Sequence, residues 1–249
     1  MQQETNQKPL LGADNNALIA LLAINLVGYV ILGLLKVIYY LESLPLEQYY
    51  NQLFYPLTLQ RDWYHQPWSL FTYNWVHDGF WTLLPNMIWM SIFIHMLQIK
   101  GANKHVFPIY FYSGLMGAIT FLCMGANQPL VGAGMSVTGL VFASIALIPN
   151  YKFLSSVFGG IPLWVLGIIY ILLQGYAFLD ASISVDIAIA VGGITGFVYV
   201  MLLKRGKDLG KWMHQLLHLL NNYLHQMMFL QMNFDMYFHM YFQMHFHLL

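Results

Sequence analysis

Six apolar runs divide the chain, spanning Leu18–Leu41, Phe80–Ile99, Val106–Ala126, Val131–Ile148, Pro162–Leu179 and Val185–Leu203. Each approaches the roughly 20 residues that carry a helix across the hydrocarbon core of a bilayer. No backbone group can stay unpaired in lipid, so runs of this length are helices. Their spacing is uneven. Residues 42–79 form a long first connection, and the remaining connections are short.

Composition agrees with that pattern. The 249 residues are 59% hydrophobic and 8% charged, against about 25% charged in a soluble domain. The fold class is therefore an all-α integral membrane protein whose first partner is the lipid bilayer, and no basic block points to nucleic acid. Residues 1–17 are a flexible cytoplasmic N-terminus and 18–206 a six-helix membrane domain with 42–79 as its outer loop. Residues 207–249 are a cytoplasmic or interfacial tail. The first apolar run is long enough to span, so it is expected to be retained rather than cleaved as a signal. Lys8, Lys100, Lys104, Lys152, Lys204, Arg205, Lys207 and Lys211 all fall on one side, with Arg61 alone in the outer loop. By the positive-inside rule both termini are cytoplasmic, and Lys36 can snorkel to the outer surface. A lone cysteine, Cys123, excludes an intrachain disulfide, and its apolar setting predicts a buried thiol.

Three local features qualify this outline. The outer loop carries Tyr49, Tyr50, Phe54, Tyr55, Trp63, Tyr64 and Trp68, which an aromatic belt at the headgroups explains. Gly139 on the fourth helix, with Gly192, Gly193 and Gly196 on the sixth, are expected to let those helices pack closely, Gly192 and Gly196 as a GxxxG pair. The tail from Trp212 holds seven methionines and six histidines. Histidines 214, 218, 225, 239, 245 and 247 show no compact ligand spacing, so no metal and no cofactor is expected. An interfacial helix is expected from Lys211 to about His225. Beyond about Asn222 the segment is either a native tail or a reading-frame artefact.

Trp68-Ser-Leu-Phe-Thr-Tyr73, His77-Asp-Gly-Phe80 and Leu83-Leu-Pro-Asn86-Met-Ile-Trp89 lie around the start of the second helix. With Val131-Gly-Ala-Gly134-Met-Ser136-Val and Ala190-Val-Gly192-Gly193-Ile-Thr-Gly196, they resemble the rhomboid intramembrane serine protease family. Ile148-Pro-Asn-Tyr151 is similar to a Bacteroidetes-like subgroup, which implies a bacterial inner membrane. The resemblance implies a six-helix bundle in which a fourth-helix serine attacks a peptide bond and a sixth-helix histidine accepts its proton. Second-helix histidine and asparagine side chains would stabilise the oxyanion.

At the matching positions this chain reads Gly134 for the nucleophile, Ala190 for the base and Thr82 for the oxyanion histidine, and only Asn86 is retained. The expected function is a proteolytically inactive member that binds transmembrane helices of client proteins. The alternative is an active endopeptidase using Ser136, which lies about 200° around the helix from Gly134. A hydrogen bond from Ser136 to a carbonyl of its own helix is the simpler expectation. His77 is expected to be structural or interfacial at the outer surface, His95 to lie toward the cytoplasmic end, Asp180 to be solvated, and Asp186 to face either water or a cavity.

Overall fold

Each apolar run forms a helix: α1 Asn16–Leu41, α2 Phe80–Ile99, α3 Val106–Cys123, α4 Gly134–Leu147, α5 Leu163–Ala177 and α6 Ile183–Lys204. The structure is a computed structural model that describes residues 16–125, 128–154, 159–177 and 183–216, and positions 219, 222, 223, 226, 227 and 231. Helices α1, α2, α3 and α6 are long and apolar enough to span a membrane. Helix α4 has 14 residues, or about 21 Å, short of the ~30 Å hydrocarbon thickness.

Two helix ends differ from the sequence expectation. Helix α4 begins at Gly134 rather than Val131, because Gly132 takes φ +94° and donates its N–H to the Tyr73 carbonyl at 2.9 Å. Only glycine reaches that φ readily. Helix α4 is also largely enclosed by its neighbours, with residues Met135 to Val141, Ala143, Ser144 and Ala146 buried, so it need not reach both surfaces itself. Helix α3 ends at Cys123, and Gly125 turns the chain at φ +66°. Cys123 is exposed, contrary to the expectation of a buried thiol. It sits on the last turn of its helix, beyond the packed part.

The α1–α2 connection is more than an aromatic belt. It is a run of short turns, from Leu46–Tyr49 through Tyr73–Trp75. Tyr64 and Trp68 are exposed, whereas Tyr49, Phe54, Tyr73 and Val76 are buried. The Tyr49 hydroxyl donates to the Leu32 carbonyl at 3.0 Å, and the Tyr73 hydroxyl to the Gly114 carbonyl at 2.7 Å. Leu59 and Leu130 form an antiparallel bridge, which ties this connection to the segment before α4. The opposite face carries a two-stranded hairpin, Lys152–Phe153 against Ile161–Pro162. There Lys204 Nζ donates to the Ala146 carbonyl at 2.6 Å.

Helices α4 and α6 meet backbone to backbone. A methyl group on Gly196 would collide with the Gly139 carbonyl oxygen, and one on Gly192 would lie 2.7 Å from the Met135 carbonyl oxygen. Gly139 in turn faces the Gly192 carbonyl oxygen, 3.2 Å from its would-be Cβ, and the Ser113 side chain of α3. Gly193 packs on Thr138 and Phe142. Close approach multiplies the small dispersion gain of each atom pair, and small residues allow it.

Replacing Gly196 by alanine should lower stability in detergent by about 1–3 kcal/mol, since an overpacked contact must be relieved by moving backbone. Gly33→Ala is the control, because nothing lies within 4 Å of its would-be Cβ. It should be neutral or stabilising by up to about 1 kcal/mol through helix propensity. Equal thermal shifts for the two variants would contradict the packing described here.

Candidate functional site

The positions singled out by the resemblance lie at the end of the bundle that carries the α1–α2 connection. Gly134 opens α4, and its carbonyl accepts the Thr138 hydroxyl at 2.7 Å and the Tyr170 hydroxyl at 3.4 Å. Thr138 and Tyr170 also share a 2.7 Å hydrogen bond. A Cβ on Gly134 would stand 3.1 Å from Gln174 Nε2. An amide from α5 therefore borders the space that a side chain at 134 would take.

Ala190 is exposed toward a cavity of about 250 Å³ between α4, α5 and α6, lined by Thr138, Phe142, Tyr170, Ile171, Gln174, Asp186, Ile189 and Ala190. Gly134 and Ala190 thus flank Gln174 from two helices. The cavity wall is almost wholly apolar, and no histidine or serine lines it among the described residues. Asp186 stands one helical turn before Ala190, on the cavity and exposed. Of the alternatives weighed from sequence, facing a cavity is the one the structure bears out. Asp180 lies outside the described residues.

Thr82 and Asn86 are occupied locally. The Thr82 hydroxyl caps α2, donating to the Gly79 carbonyl at 2.7 Å or to Asp78 Oδ1 at 3.0 Å, and it accepts the Gly79 N–H at 3.2 Å. Asn86 Nδ2 donates to the Thr82 carbonyl at 2.8 Å and lies 3.9 Å from the would-be Cβ of Gly132. Helix α2 runs on through Pro85.

Ser136 points elsewhere. It is fully buried, and its hydroxyl donates to Asn74 Oδ1 at 2.8 Å. The partner is a side chain of the long connection, not a carbonyl of α4 as the sequence suggested. Asn74 and Ser136 fit together over Gly114 of α3, where a Cβ would come within 2.5 Å of both. The serine two residues after Gly134 therefore faces α3, and no imidazole is among its described partners.

His77 is buried rather than at the surface, at 3% exposure, and His95 is exposed. Neither His77 ring nitrogen has a hydrogen-bond partner of good geometry among the described residues. The ring borders a second cavity, of about 130 Å³, with Tyr29, Lys36, Tyr49, Tyr50 and Asp78. Lys36 Nζ donates to the Tyr50 hydroxyl at 2.8 Å. Burial pushes His77 down to about 4, outweighing the Trp75 carbonyl and Asp78, which favour its charged form.

Sequence reasoning missed Gln174, Tyr170 and Asn74. Gln174 could have been noticed as the one amide in an otherwise apolar α5, since polar groups inside spans usually meet something. Asn74 carried no such signal, because a loop asparagine is ordinary until the fold buries it.

A family model for the Rhomboid domain matches residues 64–206. The chain is similar to Inactive RHOMBOID-like protein 8 of Arabidopsis thaliana, with 31% identity over 94 residues. That stretch is 37% of this chain and 26% of the plant protein, so the match spans about a quarter of that relative.

His77 should make stability pH-dependent. Its folded pKa lies below the ordinary value of 6.5, so the unfolded chain binds the proton first as pH falls. The stability it lends is complete above about 6.5 and is lost between there and about 4. The slope approaches about 1.4 kcal/mol per pH unit within that window. Unfolding in detergent at pH 7, 6, 5 and 4.5 should show a steeper loss for the native protein than for His77→Leu. Parallel curves would contradict it.

Proposed function

Because the chain belongs to the rhomboid family, we propose that it is a member that binds transmembrane helices without cleaving them. The observation that carries this reading is the pairing of Gly134 and Ala190 around Gln174. Where the family's chemistry needs a hydroxyl beside a base, this site offers a backbone, a methyl group and an amide. Loss of the dyad alone would remove turnover and leave the bundle intact, since the packing glycines are separate residues. The relative in Arabidopsis thaliana is itself named inactive, which favours the same reading.

A cavity of about 250 Å³ with apolar walls is large enough for one bulky side chain of an intramembrane helix. Client helices are thus the partners this reading implies, beside the lipid bilayer. The lysines and arginine of the hairpin face would be cytoplasmic by the positive-inside rule. The bacterial inner-membrane reading rests on the likeness of Ile148–Tyr151. The alternative, hydrolysis by Ser136, has against it a fully buried hydroxyl already bonded to Asn74.

The native protein should not react with a fluorophosphonate probe and should not cut a transmembrane reporter. Gly134→Ser with Ala190→His should label weakly at most, because Gln174 Nε2 crowds the new side chain and small misplacements cost about 100-fold. Adding Gln174→Ala should raise the labelling. Strong labelling of the native protein, abolished by Ser136→Ala, would overturn the proposal.

Client binding has its own test. A photoreactive residue at Ile171, on the cavity lining, should cross-link single-span helices in native membranes. Filling the cavity with Ala190→Trp should reduce that capture several-fold. Capture that is absent, or indifferent to the tryptophan, would count against a client site here.

A further inference from the structure

At the opposite end of the bundle three side chains from distant parts of the chain converge. His105 closes the turn that leads into α3, and Asp208 and His214 follow α6. We propose that His105, Asp208 and His214 bind a zinc-class divalent cation that clasps the segment after α6 to the start of α3.

One donor atom from each residue lies within 4.8 Å of the others. The two Asp208 oxygens are divided between the rings: Oδ1 is 3.8 Å from His105 Nδ1, and Oδ2 is 3.8 Å from His214 Nε2. Those distances exceed a hydrogen bond. A tetrahedral zinc with bonds of about 2.0–2.1 Å holds its donors roughly 3.4 Å apart. The atoms therefore sit slightly wider than a filled site, and small side-chain movements would close it. His214 Nε2 is itself buried and has no hydrogen-bond partner among the described residues, although a buried polar atom normally has one. Two imidazoles and a carboxylate are a donor set suited to zinc and its neighbours. The Tyr199 hydroxyl, 3.0 Å from His105 Nδ1, holds that nitrogen in a hydrogen bond that a bound metal would displace.

Other contacts hold the segment in place. Tyr112 donates to the Leu209 carbonyl at 3.0 Å, and Trp212 Nε1 donates to the Tyr112 hydroxyl at 2.6 Å. The Gly210 N–H donates to Asp208 Oδ1 at 2.8 Å, and a side chain at Gly210 would strike Tyr199 and Pro108. Lys104 opposes a cation here, and the Asp208 carboxylate offsets it. The spacing of histidines within the tail hides this group, because two of its members lie outside the tail's histidine run.

The test is metal titration of the full-length purified protein after chelator treatment. Zinc should bind at one equivalent and raise the thermal midpoint, and cobalt should give the visible absorption of a tetrahedral site. Asp208→Asn and His214→Gln should each weaken binding by about tenfold or more and lose the thermal shift, while melting like the native protein in chelator. The remaining tail histidines at 218, 225, 239, 245 and 247 are the competing donors. Replacing those five should leave the stoichiometric site intact. Absence of binding at one equivalent would overturn the proposal. So would binding that survives both variants or disappears with the five tail histidines.

Discussion

The close approach of α4 and α6 is the constraint on which the rest of the bundle depends. Gly139, Gly192 and Gly196 bring the two backbones into direct contact, and that contact sets where the starts of both helices lie. Ala190 then lines a cavity beside α5, and Gly134 approaches Gln174 of that lining. Membrane helices gain little from hydrophobic sorting among themselves, so dispersion between closely packed backbones carries much of the association. Gly134 and Ala190 are not among the residues that make this contact.

A second anchor is polar. Asn74, Ser136 and Gly114 join the long connection to α4 and α3 in a region without exposed surface, and Tyr73 adds a hydroxyl bond to the Gly114 carbonyl. Inside a bilayer a satisfied buried polar group is rigidifying, and an unsatisfied one is costly. That explains why Ser136 is held by an amide rather than left to react. The same connection donates the Tyr73 carbonyl that takes the Gly132 N–H, shortening α4 and fixing Gly134 as its first residue. The geometry at Gly134 is thus imposed partly by a loop far from it in sequence.

The two ends of the molecule differ in chemistry. One has a cavity with apolar walls, bordered by an amide, Gln174, and a carboxylate, Asp186. The other has a hairpin, a lysine, Lys204, that bonds the end of α4, and the His105, Asp208 and His214 group. The segment after α6 is docked on α3 through Tyr112 and Trp212. Packing therefore continues past residue 206, where the apolar pattern alone would end the membrane domain.

Sequence by itself determined the six helices, because lipid forbids unpaired backbone groups and apolar runs of this length have one solution. It also determined what Gly134 and Ala190 lack, since a glycine has no hydroxyl and an alanine no lone pair wherever they lie. The family followed from motifs whose glycines serve packing. Tertiary structure decided the remainder. Cys123 is exposed because its helix ends there, and His77 is buried because the connection folds over it. Ser136 bonds Asn74, Gln174 crowds Gly134, and His105 meets Asp208 and His214. These are contacts between residues tens of positions apart, and hydrophobic periodicity carries no information about which faces of which helices will meet.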